Sequence, residues 1–171
     1  MKVFFSLLLC SSIGFASLNS INSFKADFTQ SVTDDRNATL HYSGNLAAQK
    51  PQNAVWHYLL PIQKDVYINK YSVTIIEPEI EQVIFRRIET KFDFFNMIQN
   101  AKKINSNTYE AQYQNKNFII KMQNNFIEEI LYSDDFENKV SIVFTNQKQN
   151  IKIEDKKFIA DYPSDFDVIR D

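Results

Sequence analysis

The stretch of residues 115–145, NKNFIIKMQNNFIEEILYSDDFENKVSIVFT, decides the fold. Phe118, Ile120 and Met122 alternate with Asn117, Ile119 and Lys121, and Val140, Ile142 and Phe144 alternate with Ser141, Val143 and Thr145. A period of two sends alternate side chains to opposite faces, which is the pattern of a strand and not of a helix. Asn115-Lys116, Asn124-Asn125 and Asp134-Asp135 each lie between apolar runs. Asparagine and aspartate tolerate left-handed backbone and bond to it through their side chains, so these pairs read as turns. The chain depends on such residues, because beyond residue 16 it has a single glycine, Gly44.

The same reading extends towards the N-terminus. Val55-Trp56-His57-Tyr58, Val66-Tyr67-Ile68, Val73-Thr74-Ile75-Ile76 and Val83-Ile84-Phe85 are short, β-branched and aromatic, as strands prefer. A spacing of roughly ten residues leaves no room for crossover helices and implies one long antiparallel meander. Two segments depart from it. Leu18 and Ile21, three apart, fit a short helix. Phe24 and Phe28 could continue that stripe, although Phe24, Ala26 and Phe28 also alternate as in a strand. The clearer helix is predicted over 90–103, with Thr90 and Asp93 as a capping pair and Lys102 and Lys103 at its favourable C-terminal end. Phe92, Phe94, Phe95, Met97, Ile98 and Ala101 give it an apolar face wider than one packing surface needs, as in a lid over an apolar hollow. A sheet of this size must curl, and its concave face needs a cover.

The 171 residues are enough for one domain, and a formal net charge of -2 gives no basic field for nucleic acid. Residues 1–16 read as a signal peptide: Lys2, an apolar run from Val3 to Cys10, then Gly14-Phe15-Ala16 as a cleavage site. That leaves a domain of residues 17–171 bound for the periplasm. A buried N-terminal helix is the competing reading. Lipidation at Cys10 would call for a small residue before it, and Leu9 stands there. Cleavage would remove the only cysteine, which suits an oxidising compartment.

No catalytic constellation emerges, and an enzyme is not expected. The two histidines, His41 and His57, fall on different strands without a partner at metal-ligand spacing, so no metal or other cofactor is expected. His57 reads as a solvent-facing or edge side chain. Glu128-Glu129 and Asp134-Asp135 read as solvated carboxylates. The aromatic content is the unusual feature, with 15 Phe, 8 Tyr and 1 Trp.

Several motifs, in unbroken order from about residue 23 to 171, resemble the outer-membrane lipoprotein carrier (LolA) family. They are Ser23-Phe24-Lys25-Ala26-Asp27-Phe28-Thr29-Gln30; Gly44-Asn45-Leu46 followed by Lys50-Pro51, Trp56, Tyr58 and Pro61; Tyr71 to Pro78 with Glu81-Gln82; and Phe158 with Pro163 and Phe166-Asp167-Val168-Ile169. The resemblance implies a mainly β fold: one strongly curved antiparallel sheet, an open half-barrel, with helices over its concave apolar face. It also makes residues 24–32 the first strand. It implies acylated lipoproteins as cargo, an inner-membrane ABC transporter of the LolCDE kind as donor and an outer-membrane receptor of the LolB kind as acceptor.

On this reading Phe24, Phe28, Trp56, Phe92, Phe94, Phe95, Met97 and Ile98 are the expected cargo-binding residues, and Lys50 controls the lid. The family arginine at that position holds the lid by hydrogen bonds to its backbone. A lysine donates as a point charge and lacks the planar fork. Ala54, two residues before Trp56, makes that wall smaller than in the family. A monomer is expected. Two other classes remain open at this stage: a non-transporting sensor domain of the same fold that binds an amphiphilic signal, and a membrane-tethered receptor.

Overall fold

The computed structural model describes residues 18–88 and 94–170. A short 3-10 turn, Leu18–Ser20, leads into the strands β1 (Ser23–Thr33), β2 (Thr39–Gln49), β3 (Asn53–Leu60), β4 (Lys64–Asn69), β5 (Ser72–Glu77) and β6 (Gln82–Arg87). A helix, α1 (Phe94–Gln99), separates these from β7 (Lys102–Lys103), β8 (Thr108–Tyr113), β9 (Lys116–Gln123), β10 (Phe126–Ser133) and β11 (Lys139–Gln149). The last strand is β12 (Asp167–Arg170).

All twelve strands belong to one open sheet, in the order β12-β6-β5-β4-β3-β2-β1-β11-β10-β9-β8-β7. The single meander expected from spacing is therefore two meanders, β1–β6 and β7–β11, joined where β1 pairs antiparallel with β11. The sheet is also not wholly antiparallel, since β12 returns beside β6 in parallel, Val168 opposite Val83. Spacing along the chain cannot reveal either feature, because both depend on pairings more than eighty residues apart.

The turns follow the asparagine and aspartate positions. Gln114-Asn115 and Asn124-Asn125 each carry two consecutive residues at positive φ, the backbone that matches a two-residue hairpin to the strand twist. The first turn thus lies one residue earlier than expected, and Lys116 already belongs to β9. The β1–β2 and β10–β11 turns share one design. The Asp34 carboxylate accepts from the Arg36 and Ala38 amides, and that of Asp134 from the Phe136 and Asn138 amides.

Helix α1 ends at Gln99, short of the predicted end at 103. The Asn100 side chain donates to the Asn96 carbonyl and side-chain oxygens at 2.9 Å, and such local bonds compete with continuation of a helix. Lys102 and Lys103 are consequently an edge strand opposite Glu110 and Tyr109, where lysines discourage further pairing. The proposed cap at Thr90 and Asp93 lies outside the described residues.

The two faces of the sheet bury separate cores. Phe24, Phe28, Leu46, Ile120, Ile130, Ile142 and Phe144 on the concave face pack with Leu18, Ile21, Phe95, Met97 and Ile98. On the convex face the segment after β11 covers Val55, Tyr67, Ile76 and Val83 with Ile153 and Phe158. This explains the C-terminal motif: its Phe158 is a convex-face plug, and its Asp167-Val168-Ile169 is β12. His57 also differs from expectation. It lies part-buried on a strand with neighbours on both sides, its Nδ1 2.7 Å from Asp65 Oδ1. Glu129 is no plain solvated carboxylate either. A register shift between Ile127 and Glu129 aims it at Lys121 Nζ and Ser141 Oγ, both at 2.7 Å.

Gly44 sits at the register shift between β2 and β3, where a Cβ would meet the His57 carbonyl oxygen at 1.9 Å and Phe28 Cε1 at 3.0 Å. The nearer obstacle is backbone and cannot rotate away. Gly44→Ala is expected to cost about 3 kcal/mol by forcing β2 and β3 apart, read as a lowered midpoint in chemical denaturation.

Candidate lipid-binding site

The concave face of the sheet is an aromatic surface built on alternating positions of its central strands. Phe24 meets Phe144 edge-on with ring centroids 5.3 Å apart, across the β1–β11 pairing. Phe28 packs edge-on against Trp56 at 5.0 Å and Tyr58 at 5.1 Å, and Trp56 lies 6.5 Å from Phe144. Edge-to-face rings fit the aromatic quadrupole and hold one another in place. Above them α1 buries Phe95, Met97 and Ile98, with Phe94 edge-on to Phe95 at 5.6 Å.

Sheet and helix do not close fully on each other. Between them is an apolar cavity of about 280 Å³. Its roof is Phe94, Phe95 and Met97, and its floor includes Phe24, Leu46, Trp56, Phe118, Ile130, Ile142 and Phe144. Ala54 and Ile68 border one end of the floor; Tyr113, Lys116 and Tyr132 border the other.

Of the residues expected from sequence, Phe24, Trp56, Phe94, Phe95 and Met97 surround this cavity. Phe28 is fully buried behind Trp56 and Tyr58 and backs the wall without lining it. Ile98 is fully buried in the same core as Leu18 and Ile21, so it anchors α1 and does not face the hollow. Phe92 lies outside the described residues. Lys50 places its ammonium 6.0 Å from the centre of the Phe95 ring. Its described side-chain contact is thus with a roof ring, where the reading from sequence expected donation to lid backbone.

Sequence reasoning did not assign Phe118, Ile130, Tyr132, Ile142 or Phe144 to the site. The signal was present in the alternation of β9 and β11. What it lacked was the β1–β11 pairing, which alone brings the second meander under the helix.

The cavity lining includes the polar side chains Gln52, Asn53, Gln114 and Lys116 and the phenols of Tyr113 and Tyr132, and further polar groups stand beside it. Tyr58 Oη donates to Gln30 Oε1 at 3.1 Å, and Lys64 Nζ lies 4.7 Å from the Tyr58 ring centre and 5.8 Å from that of Tyr42. Burial pushes the Tyr58 phenol up to about 12, with Tyr132 and Tyr42 adding to the effect. Burial and then Asp134 raise Tyr132 as well. Among the described residues no group of three or more His, Cys, Asp and Glu is placed to hold a metal ion. What the arrangement can do is enclose hydrocarbon.

The family model described as outer membrane lipoprotein carrier protein LolA matches residues 19–117. The chain belongs to the LolA family. That match spans the first meander, α1 and β7 to the start of β9, and relatives extend it. The outer-membrane lipoprotein carrier protein of Campylobacter jejuni is 38% identical over 151 residues, 88% of each chain. That of Helicobacter hepaticus is 31% identical over 164 residues, covering 94% of this chain and 90% of its own. Among solved structures, an uncharacterized conserved protein from Thermus thermophilus superposes with a TM-score of 0.57 at 10% identity, over 90% of this chain and 93% of that one. The LolA superfamily protein NE2245 from Nitrosomonas europaea gives 0.50 at 9% identity, over 82% and 91%. These two establish a shared LolA-type fold.

The raised Tyr58 phenol makes stability sensitive to alkali. In the unfolded chain it titrates near 10, so above that pH the unfolded state loses its proton first and is favoured. The stability is full below pH 10 and is lost as the pH rises towards about 12, where the folded group also titrates. Tyr58→Phe is expected to make this loss smaller, while Tyr132 keeps part of it; denaturant midpoints measured from pH 8 to 12 check the difference.

Proposed function

We propose that this chain is a periplasmic carrier, one that shields the acyl chains of lipoproteins in its concave cavity and moves them to the outer membrane. The observation that carries the reading is the apolar cavity roofed by α1, found in a member of the lipoprotein carrier family. Residues 1–16 act as the signal peptide and 17–171 as the carrier domain, working as a monomer. Its donor is an inner-membrane ABC transporter of the LolCDE kind, and its acceptor a receptor of the LolB kind where one is present.

The size of the cavity favours a carrier that binds incompletely. An apolar cavity of about 150 Å³ takes one benzene, so 280 Å³ is far too small for two or three long acyl chains. Cargo enters only if α1 moves, which takes Phe95, Met97 and Ile98 out of their core. Each buried CH₂ of the cargo contributes about 0.8 kcal/mol, and without an opposing cost the affinity would reach the saturating range. Exposure of the roof residues offsets part of that gain, so the cargo can be handed on. Phe24, Trp56, Phe94, Phe95 and Met97 hold the chains, and Phe92 is assigned with them from sequence. Phe28 and Ile98 support that surface from behind, and Lys50 sets the closed roof through the Phe95 ring.

The decisive experiment adds the purified protein to spheroplasts making labelled lipoprotein and measures soluble complex in the supernatant. The wild type is expected to release cargo stoichiometrically. Phe95→Glu is expected to reduce release at least about tenfold, because an acyl chain cannot pack on a carboxylate. The sheet should keep its β-type circular dichroism spectrum, because neither the β1–β11 pairing nor the convex core includes Phe95. Normal release by that variant would remove α1 from the mechanism, and no release by the folded wild type would remove the carrier function.

A further inference from the structure

Lys116 is the one charged side chain among the described residues that line the cavity. It stands at the start of β9, next to the Gln114-Asn115 turn, and its side chain is 29% exposed. From there the floor runs through Phe118, Ile142 and Phe144 to Trp56 and ends at Ala54 and Ile68. One end of an apolar hollow therefore has a cation in its lining, while Lys50, near the other end, does not line it and lies against the Phe95 ring of the roof. The ammonium pairs with Asp135 in the β10–β11 turn. Asp135 is 85% exposed, and an ion pair with so exposed a partner is worth little in water. Asp134 also feels the Lys116 charge but is held by the Asn138 and Phe136 hydrogen bonds, so the exposed Asp135 is the contact that an incoming anion displaces.

We infer that the closed cavity is a binding site for a single-chain fatty carboxylate, with the tail on the Trp56–Phe144–Phe118 floor and the carboxylate on Lys116 in place of Asp135. This rests on the reading of the cavity as an acyl site and adds to it a head group, a chain number and a length. If about 150 Å³ holds the six carbons of benzene, 280 Å³ holds about a dozen. A medium-chain acid fits without moving α1, whereas longer or multiple chains require the roof to open. The cation in the lining selects the head. A carboxylate gains a charge-assisted bond at the rim, an alcohol gains only a neutral one, and an ammonium is repelled.

Trp56 is the chain's single tryptophan and lines the cavity, so its emission reports occupancy directly. The test titrates the purified protein with dodecanoate below its micellar concentration, and in parallel with dodecan-1-ol. A saturable one-to-one change in emission is expected for the acid, with octadecanoate binding no more tightly than dodecanoate. Lys116→Gln is expected to lower the preference for acid over alcohol about tenfold. Asp135→Asn, which removes the competitor from an exposed turn, is expected to tighten dodecanoate about threefold. Failure of the folded wild type to respond to dodecanoate overturns the site. So does an acid-over-alcohol preference that neither substitution alters. Lipoprotein release by the same wild-type preparation separates the two readings. Release without a dodecanoate response overturns the fatty-acid site alone; a dodecanoate response without release overturns the carrier function and leaves the site standing.

Discussion

The pairing of β1 with β11 is the constraint on which the rest of the structure depends. Each meander alone is a curved sheet with one greasy face and no cover. Joined through Phe28 opposite Phe144 and Val32 opposite Val140, they form one sheet long enough to wrap around a helix. The junction is reinforced at its end near the N-terminus by polar bonds. The Asn150 amide donates to the Ser23 carbonyl at 3.0 Å, Ser23 Oγ donates to the Ile151 carbonyl at 2.6 Å, and the Asn22 amide donates to Asn150 Oδ1 at 2.8 Å. These bonds also fix the direction in which the chain leaves β11, towards the convex face, where Ile153 and Phe158 dock. One junction thus defines the concave cavity and starts the segment that closes the other side.

The local structure was legible in the sequence because it rests on local rules. Alternation placed β3 to β6, β9 and β11, and the asparagine and aspartate pairs marked the hairpins to within a residue. The motif resemblance resolved Phe24 and Phe28 into a strand where periodicity left helix and strand open. What was not legible depended on distant partners. The wide apolar face of the lid segment was visible, but the Asn96–Asn100 bonds that end α1 at Gln99 were not. Phe28 and Ile98 looked equivalent to Trp56 and Phe95 by composition. Only the tertiary packing separates residues that line the cavity from residues that brace it. Lys116 read as part of a turn, and its place at the rim of the site depends on the curvature of the whole sheet.

Buried polar chemistry in this molecule is kept away from the apolar floor. The Glu129 carboxylate would be raised by burial, yet the Lys121 and Ser141 hydrogen bonds and the Lys121 charge outweigh this and hold it below its ordinary value. That cluster faces away from the cavity. His57 with Asp65 likewise occupies the opposite face from Trp56, its neighbour in the chain. Strand alternation therefore lets a single strand carry a hydrocarbon wall on one side and a hydrogen-bonded pair on the other. The cavity side keeps its few polar groups at the edges, Tyr58 bonded to Gln30 and Lys116 to Asp135. Gln52, Asn53 and Gln114 also belong to the cavity lining.

The roof is held by packing on the floor beneath it. Over its described residues α1 is held by the burial of Phe95, Met97 and Ile98 against the concave core. The Lys50 ammonium over the Phe95 ring adds a cation–π attraction of about 0.5–1 kcal/mol, far less than a bidentate guanidinium bonded to backbone would supply. A lysine in this position therefore shifts the balance towards opening. The smaller Ala54 wall acts in the same sense, since less of the floor contacts the roof when the cavity is empty. On the resemblance read from the sequence, both departures lower the cost of moving α1, the cost that the proposed carrier function sets against acyl-chain burial. On the proposed carrier function, the affinity for cargo is then set more by the aromatic floor, Phe24, Trp56 and Phe144, than by the Lys50 contact.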